Sequence, residues 1–95
     1  MNKQEARTLL AERLNDYRKL PYADLVAKID DDDCVTVVGQ SGTEYQIEVQ
    51  VFWDAKPDGD IRVFGGIDDG RFLAAFAPLC DSFIVSPVGE LVGED

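Results

Sequence analysis

The chain has no histidine, one methionine, one tryptophan and two cysteines, and it is short of positive charge: nine Lys and Arg stand against nineteen Asp and Glu. Each shortage excludes something. Without histidine the commonest general base is missing, and neither Cys34 nor Cys80 has the imidazole partner of a papain-like pair. Ser41, Ser82 and Ser86 lie outside any Gly-x-Ser-x-Gly elbow. No spacing of metal ligands is present. A net charge of −10 argues against duplex DNA or an anionic membrane as partner, because both are normally bound by Lys and Arg on phosphates. The charge calls instead for a basic protein or a cation. No apolar run approaches the roughly 18 residues of a membrane-spanning helix. Met1-Asn2-Lys3-Gln4-Glu5 opens no apolar leader, so the expected location is the cytoplasm. There the two cysteines are expected as buried free thiols.

What is present is the composition of a folded protein, 45% hydrophobic and 29% charged. Ninety-five residues predict one domain, large enough to bury roughly two-thirds of its unfolded surface. The charge is uneven. Residues 1–28 hold six basic and four acidic side chains, whereas 29–95 hold three basic and fifteen acidic ones. A mildly basic helical start therefore precedes a strongly acidic, strand-rich remainder (34–95). Such asymmetry bears on steering and partner choice, not on fold.

Asn2 and Glu5 have the spacing of a capping box. A helix over residues 3–19 should follow, with Ala6, Leu9, Leu10, Arg13, Leu14 and Tyr17 as its apolar stripe. Arg13 can lie on that stripe by burying its stem and leaving its head in water. Pro21 breaks the pattern and opens a second helix to Ile29, with Tyr22, Leu25, Val26 and Ile29 on its apolar side. Asp30 to Asp33 then oppose the helix dipole and read as a stop and a solvated loop.

Beyond them the period changes to two. Cys34 to Val38 is the first expected strand, and Gln40 to Thr43 a turn. Tyr45, Ile47, Val49, Val51 and Trp53 alternate with Glu44, Gln46, Glu48 and Gln50, the signature of a strand with one face in water. Pro57 to Asp60 turns into Ile61 to Phe64, a third strand ended by Gly65-Gly66. These three form an antiparallel meander. Arg71 to Ala77 reads as a short helix behind Asp68-Asp69. Ser82 to Ser86 is the fourth strand, and Leu91-Val92 a short edge strand or a frayed end. The expected fold is α+β: two layers in the order α-α-β-β-β-α-β, with N-terminal helices on a four-stranded, mainly antiparallel sheet. No internal repeat is evident.

Three readings of function remain. The first is a non-enzymatic module, inhibitor-like or immunity-like in kind, for a basic protein. Its candidate binding face is Glu44, Gln46, Glu48, Gln50, Phe52 and Phe64, since both phenylalanines have the opposite parity to the core residues of their strands. Aromatic anchors with a polar rim suit protein recognition. A helix over 71–77 packed behind the sheet, through Phe72 or Phe76, would cover them. The second reading is a divalent cation or small ligand held by Asp30 to Asp33 with Asp68 and Asp69. Asp54 to Gly65 superficially resembles a calcium loop, but Lys56 and Gly65 stand where carboxylates belong, which leaves a hairpin turn. The third is a small carboxylate-based hydrolase. Gly65 to Gly70 is glycine-rich, yet Asp68 and Asp69 occupy the place of a phosphate and the Gly-Lys-Ser/Thr ending is missing. No cofactor is implied. A free edge, Val35 to Val38 or Phe83 to Val85, would allow a homodimer by strand addition.

Overall fold

A computed structural model describes residues 2–69 and 79–93. Helix α1 runs Lys3–Arg18, α2 Tyr22–Ala27, and five strands follow: β1 Asp32–Val38, β2 Glu44–Trp53, β3 Ile61–Asp68, β4 Leu79–Val85 and β5 Leu91–Val92. The strands form one antiparallel sheet in chain order. The expected helix over 71–77 lies outside the described residues.

Helix α1 starts where its cap predicts. The Glu5 amide donates to Asn2 Oδ1 at 3.1 Å. Ala6, Leu10, Leu14 and Tyr17 lie on one stripe and are buried, against Tyr45, Ile47, Val49 and Val51 of β2, Ile61, Val63 and Ile67 of β3, and Phe83 and Val85 of β4. The two-layer α+β arrangement is therefore as expected: period 3.6 faces period 2 across one core. Arg18 lies 4.5 Å over the Phe83 ring and caps the far side of the core. In α2, Pro21 is the N-cap rather than the first helical residue, and Leu25 is fully buried.

Five features differ from the sequence reading. The sheet has five strands, not four, because Leu91 and Val92 pair with Val85 and Ile84. That pairing also covers the outer edge of Ile84 and Val85, so among the described residues the expected free edge that remains along its whole length is that of β1. The acidic run is not all loop: Asp32 and Asp33 begin β1, opposite Gln50 and Val49, and both carboxylates have hydrogen-bond partners described below. Glycine does not end β3. The strand continues to Asp68 because Gly65 passes directly under α1, where an added Cβ would lie 2.9 Å from Leu14 Cδ2; here the missing side chain serves close approach. Strand β4 begins at Leu79, three residues before Ser82, paired there with Ile67. Finally, Cys34 and Cys80 are free but exposed, not buried, since both point away from the helices.

Turn chemistry holds the meander in register. Gly42, at φ 87°, closes the β1–β2 hairpin with its amide on Gly39 O at 2.9 Å. Asp58, at φ 67°, lies in the β2–β3 turn, which Asp54 N and Asp60 O bridge at 2.9 Å. Residues 54–60 are thus a hairpin connection rather than a calcium loop.

Candidate functional site

Strict alternation in β2 places Tyr45, Ile47, Val49 and Val51 under α1 and leaves Glu44, Gln46, Glu48, Gln50 and Phe52 exposed on the opposite face. In β3 the same parity puts Phe64 there. All six sequence-predicted residues therefore share the side of the sheet away from the helices. Phe52 and Phe64 are 38% and 37% exposed. They are diagonal neighbours, because Phe52 faces Arg62 and Phe64 faces Gln50, a spacing that aromatic rings can bridge.

Register builds rows across this open face. One runs Asp32, Gln50, Phe64, Ser82; the next runs Cys34, Glu48, Gly66, Cys80; a third joins Phe52, Arg62 and Ile84. Two intervening strands separate the cysteines, too far for a disulfide. Gly66 contributes no side chain, so its row has a gap where the neighbouring rows are filled. The gap is a hollow of about 160 Å³. Its rim is Cys34 of β1, Gln46, Glu48 and Gln50 of β2, and Phe64 and Asp68 of β3.

The face is acidic, carrying Asp32, Glu44, Glu48 and Asp68. Its one base among the described residues, Arg62, is already engaged. Arg62 Nε donates to Asp54 Oδ1 at 2.8 Å and a terminal nitrogen donates to Ser82 Oγ at 3.0 Å. Gln50 Nε2 donates to Asp32 Oδ1 at 3.3 Å across the β1–β2 pair.

Carboxylates on the helix side are arranged differently. Glu5 reaches the β1–β2 turn and accepts from Ser41 N at 3.0 Å, Ser41 Oγ at 2.7 Å and Tyr45 Oη at 2.9 Å. Gly39 makes the space, since a Cβ there would lie 2.3 Å from Glu5 Oε1. The hydrogen bonds from Ser41, then that from Tyr45, hold the Glu5 carboxyl below its ordinary pKa. At the other end of α1, Asp33 accepts from Arg13 and from the Tyr17 hydroxyl. Partial burial pushes the Asp33 pKa up, but the hydrogen bonds of Tyr17 and Arg13, with the charges of Arg13 and Lys28, outweigh it and bring it down. Tyr17 is pushed up to about 12, first by burial and then by its bond to Asp33. The head of Arg13 thus meets a carboxylate, not the bulk water expected of it.

These placements bear on the other two readings. Asp32 is level with Gln50 and Asp68 with Gln46, four positions apart along β2 and hence roughly 13 Å. The two Asp groups do not meet, and among the described residues no three acidic or thiol side chains converge as metal ligands. A general acid needs a carboxyl whose pKa is raised. Among the described residues, Glu5 and Asp33 are instead held below the ordinary carboxylate pKa.

Sequence reading missed Arg62, Ile84, Cys34 and Gly66 as members of the open face. The parity of Arg62 with Phe64 was a usable signal. The same parity reaches Gly66 once β3 is continued past Gly65, whereas the place of Cys34 beside Glu48 depends on the pairing of β1 with β2. No helix among the described residues is long and apolar enough to cross a membrane. No family model, curated protein or solved structure matches the chain.

Proposed function

We propose that this protein is a non-enzymatic binding module of the cytoplasm that presents its open sheet face to a basic protein. The observation that carries this reading is the juxtaposition of Phe52 and Phe64, each more than a third exposed, with Glu44 and Glu48 on the same face and with the one base there among the described residues, Arg62, tied to Asp54. Exposed aromatics anchor an interface by burying area on contact. Carboxylates around them steer a basic partner and reject an acidic one. Exposed free thiols at Cys34 and Cys80 suit a reducing compartment.

The test is affinity capture from native extract at low and high ionic strength, with the wild-type chain and a Phe52→Ser/Phe64→Ser variant in parallel. The expected result is a basic protein retained by the wild type at low salt, released at high salt and lost with the variant. Equal capture by both chains would remove the open face from the interaction.

A further inference from the structure

We propose that the hollow over Gly66 is an arginine-reading pocket, in which a guanidinium from the partner lies against the Phe64 ring and pairs with the Glu48 carboxylate. This rests on the binding-face reading above and names the side chain that the face selects. A hollow of about 160 Å³ is several times the ~30 Å³ that a water occupies in the liquid, and it is open toward solvent. Its floor is the Gly66 backbone. Glu48 and Gly66 are direct cross-strand partners, and Phe64 is the next residue of β3 on the same face. One wall is thus aromatic and the adjoining wall is anionic.

Among the described residues Glu48 has no hydrogen bond or ion pair, in contrast to the saturated Glu5 and Asp33. A carboxylate at a concavity, with no cation paired to it among the described residues, is complementary to an external one. Gln46 and Gln50, on either side of Glu48, add amide oxygens that accept further N–H groups. A guanidinium fits this set better than an ammonium. It is planar, it stacks on an aromatic face, its fork matches a carboxylate in two parallel bonds, and it is less strongly hydrated. Among the described residues the guanidinium on this face, that of Arg62, is held by Asp54 and Ser82.

The experiment is an NMR titration of the isotope-labelled protein with a capped peptide of alternating glycine and arginine, and with its lysine counterpart of equal charge. We expect amide shifts centred on Glu48, Phe64 and Gly66, and about threefold tighter binding of the arginine peptide. Gly66→Val, which fills the hollow without altering charge, should weaken the arginine peptide about fivefold or more at an unchanged melting temperature. Glu48→Gln should weaken it about threefold or more, and Glu44→Gln, outside the hollow, by less than half as much. Glu48 is exposed, so its variant reads out the pocket even if Gly66→Val perturbs the sheet. Equal binding of the two peptides with an inert Gly66→Val, while open-face amides still shift, overturns the pocket and leaves the acidic face standing. Shifts confined to other surfaces overturn both.

Discussion

Gly65 and Gly66 are adjacent in β3 and point to opposite sides of one sheet, and their surroundings differ in every respect that matters for function. Under Gly65 lie Leu10 and Leu14 of α1, close enough that even a methyl group would collide. Over Gly66 there is a hollow rimmed by carboxylate, amide and ring. The same contrast extends across the molecule. On the helix side the carboxylates of Glu5 and Asp33 are saturated by hydrogen bonds, and the apolar side chains are buried. On the open side the phenylalanines are exposed and Glu48 is unpaired among the described residues. A group whose interactions are all internal stabilises the fold. A group left with unused capacity contributes little to it and is available to a partner.

The largest way to break this contrast is to damage the covered face. Leu14→Ala removes a fully buried side chain and should cost about 2–5 kcal/mol in denaturant unfolding. The glycine pair sharpens the comparison most directly. Gly65→Val should destabilise by about 1–3 kcal/mol through overpacking, whereas Gly66→Val should change stability by less than about 0.5 kcal/mol. Similar losses from both would mean that the open side is packed as tightly as the covered one.

The clasps at the two ends of α1 come next. Asp33→Asn replaces a partly exposed carboxylate that accepts from Arg13 and Tyr17 and should cost about 1–2 kcal/mol. Their pH dependence has two limbs. The carboxyls of Asp33 and Glu5 have lowered pKa values in the fold. Their contribution is therefore present above the ordinary carboxylate range and is lost as pH falls through the depressed folded values. Tyr17 is raised to about 12 from an ordinary 10. Its contribution is complete below pH ~10 and is lost as pH rises toward 12. Thermal unfolding against pH should show both limbs, with the alkaline one reduced in Tyr17→Phe.

The smallest stability effects belong to the open face. Phe64→Ser should lower the unfolding free energy by no more than about 1 kcal/mol while weakening partner capture. Millimolar calcium should raise the melting temperature no more than matched magnesium. A specific calcium shift would show by mass action that the Asp residues do form a site.

Much of this architecture was legible in the chain. The helical stripe from Ala6 to Tyr17, the alternation from Glu44 to Trp53 and the turns at Gln40 to Thr43 and Pro57 to Asp60 all lie at nearly the positions the sequence predicts. Phe52 and Phe64 could be assigned to the open face by parity alone. The glycines misled, because a residue that usually ends a strand was here needed to admit a helix. The acidic run misled because its neighbours in space, Arg13 and Tyr17, lie 20 and 16 positions away. Cys34 and Cys80 depart from the expectation of buried thiols, because cysteine is most often buried and local sequence does not say which face of β1 or β4 the helices cover.

By itself the sequence determined the periodicities, and with them the element types, the parity of each strand and the separation of acidic from basic charge. These depend on local backbone geometry and composition, which act over a few residues. Only the tertiary structure decided that Gly65 lies beneath Leu14, that Gly66 opens a hollow beside Glu48, and that Glu5 and Asp33 are occupied. Those facts depend on cross-strand register and helix docking. Both are set by burial of the whole apolar face at once, because a slip of one residue would turn that face to water.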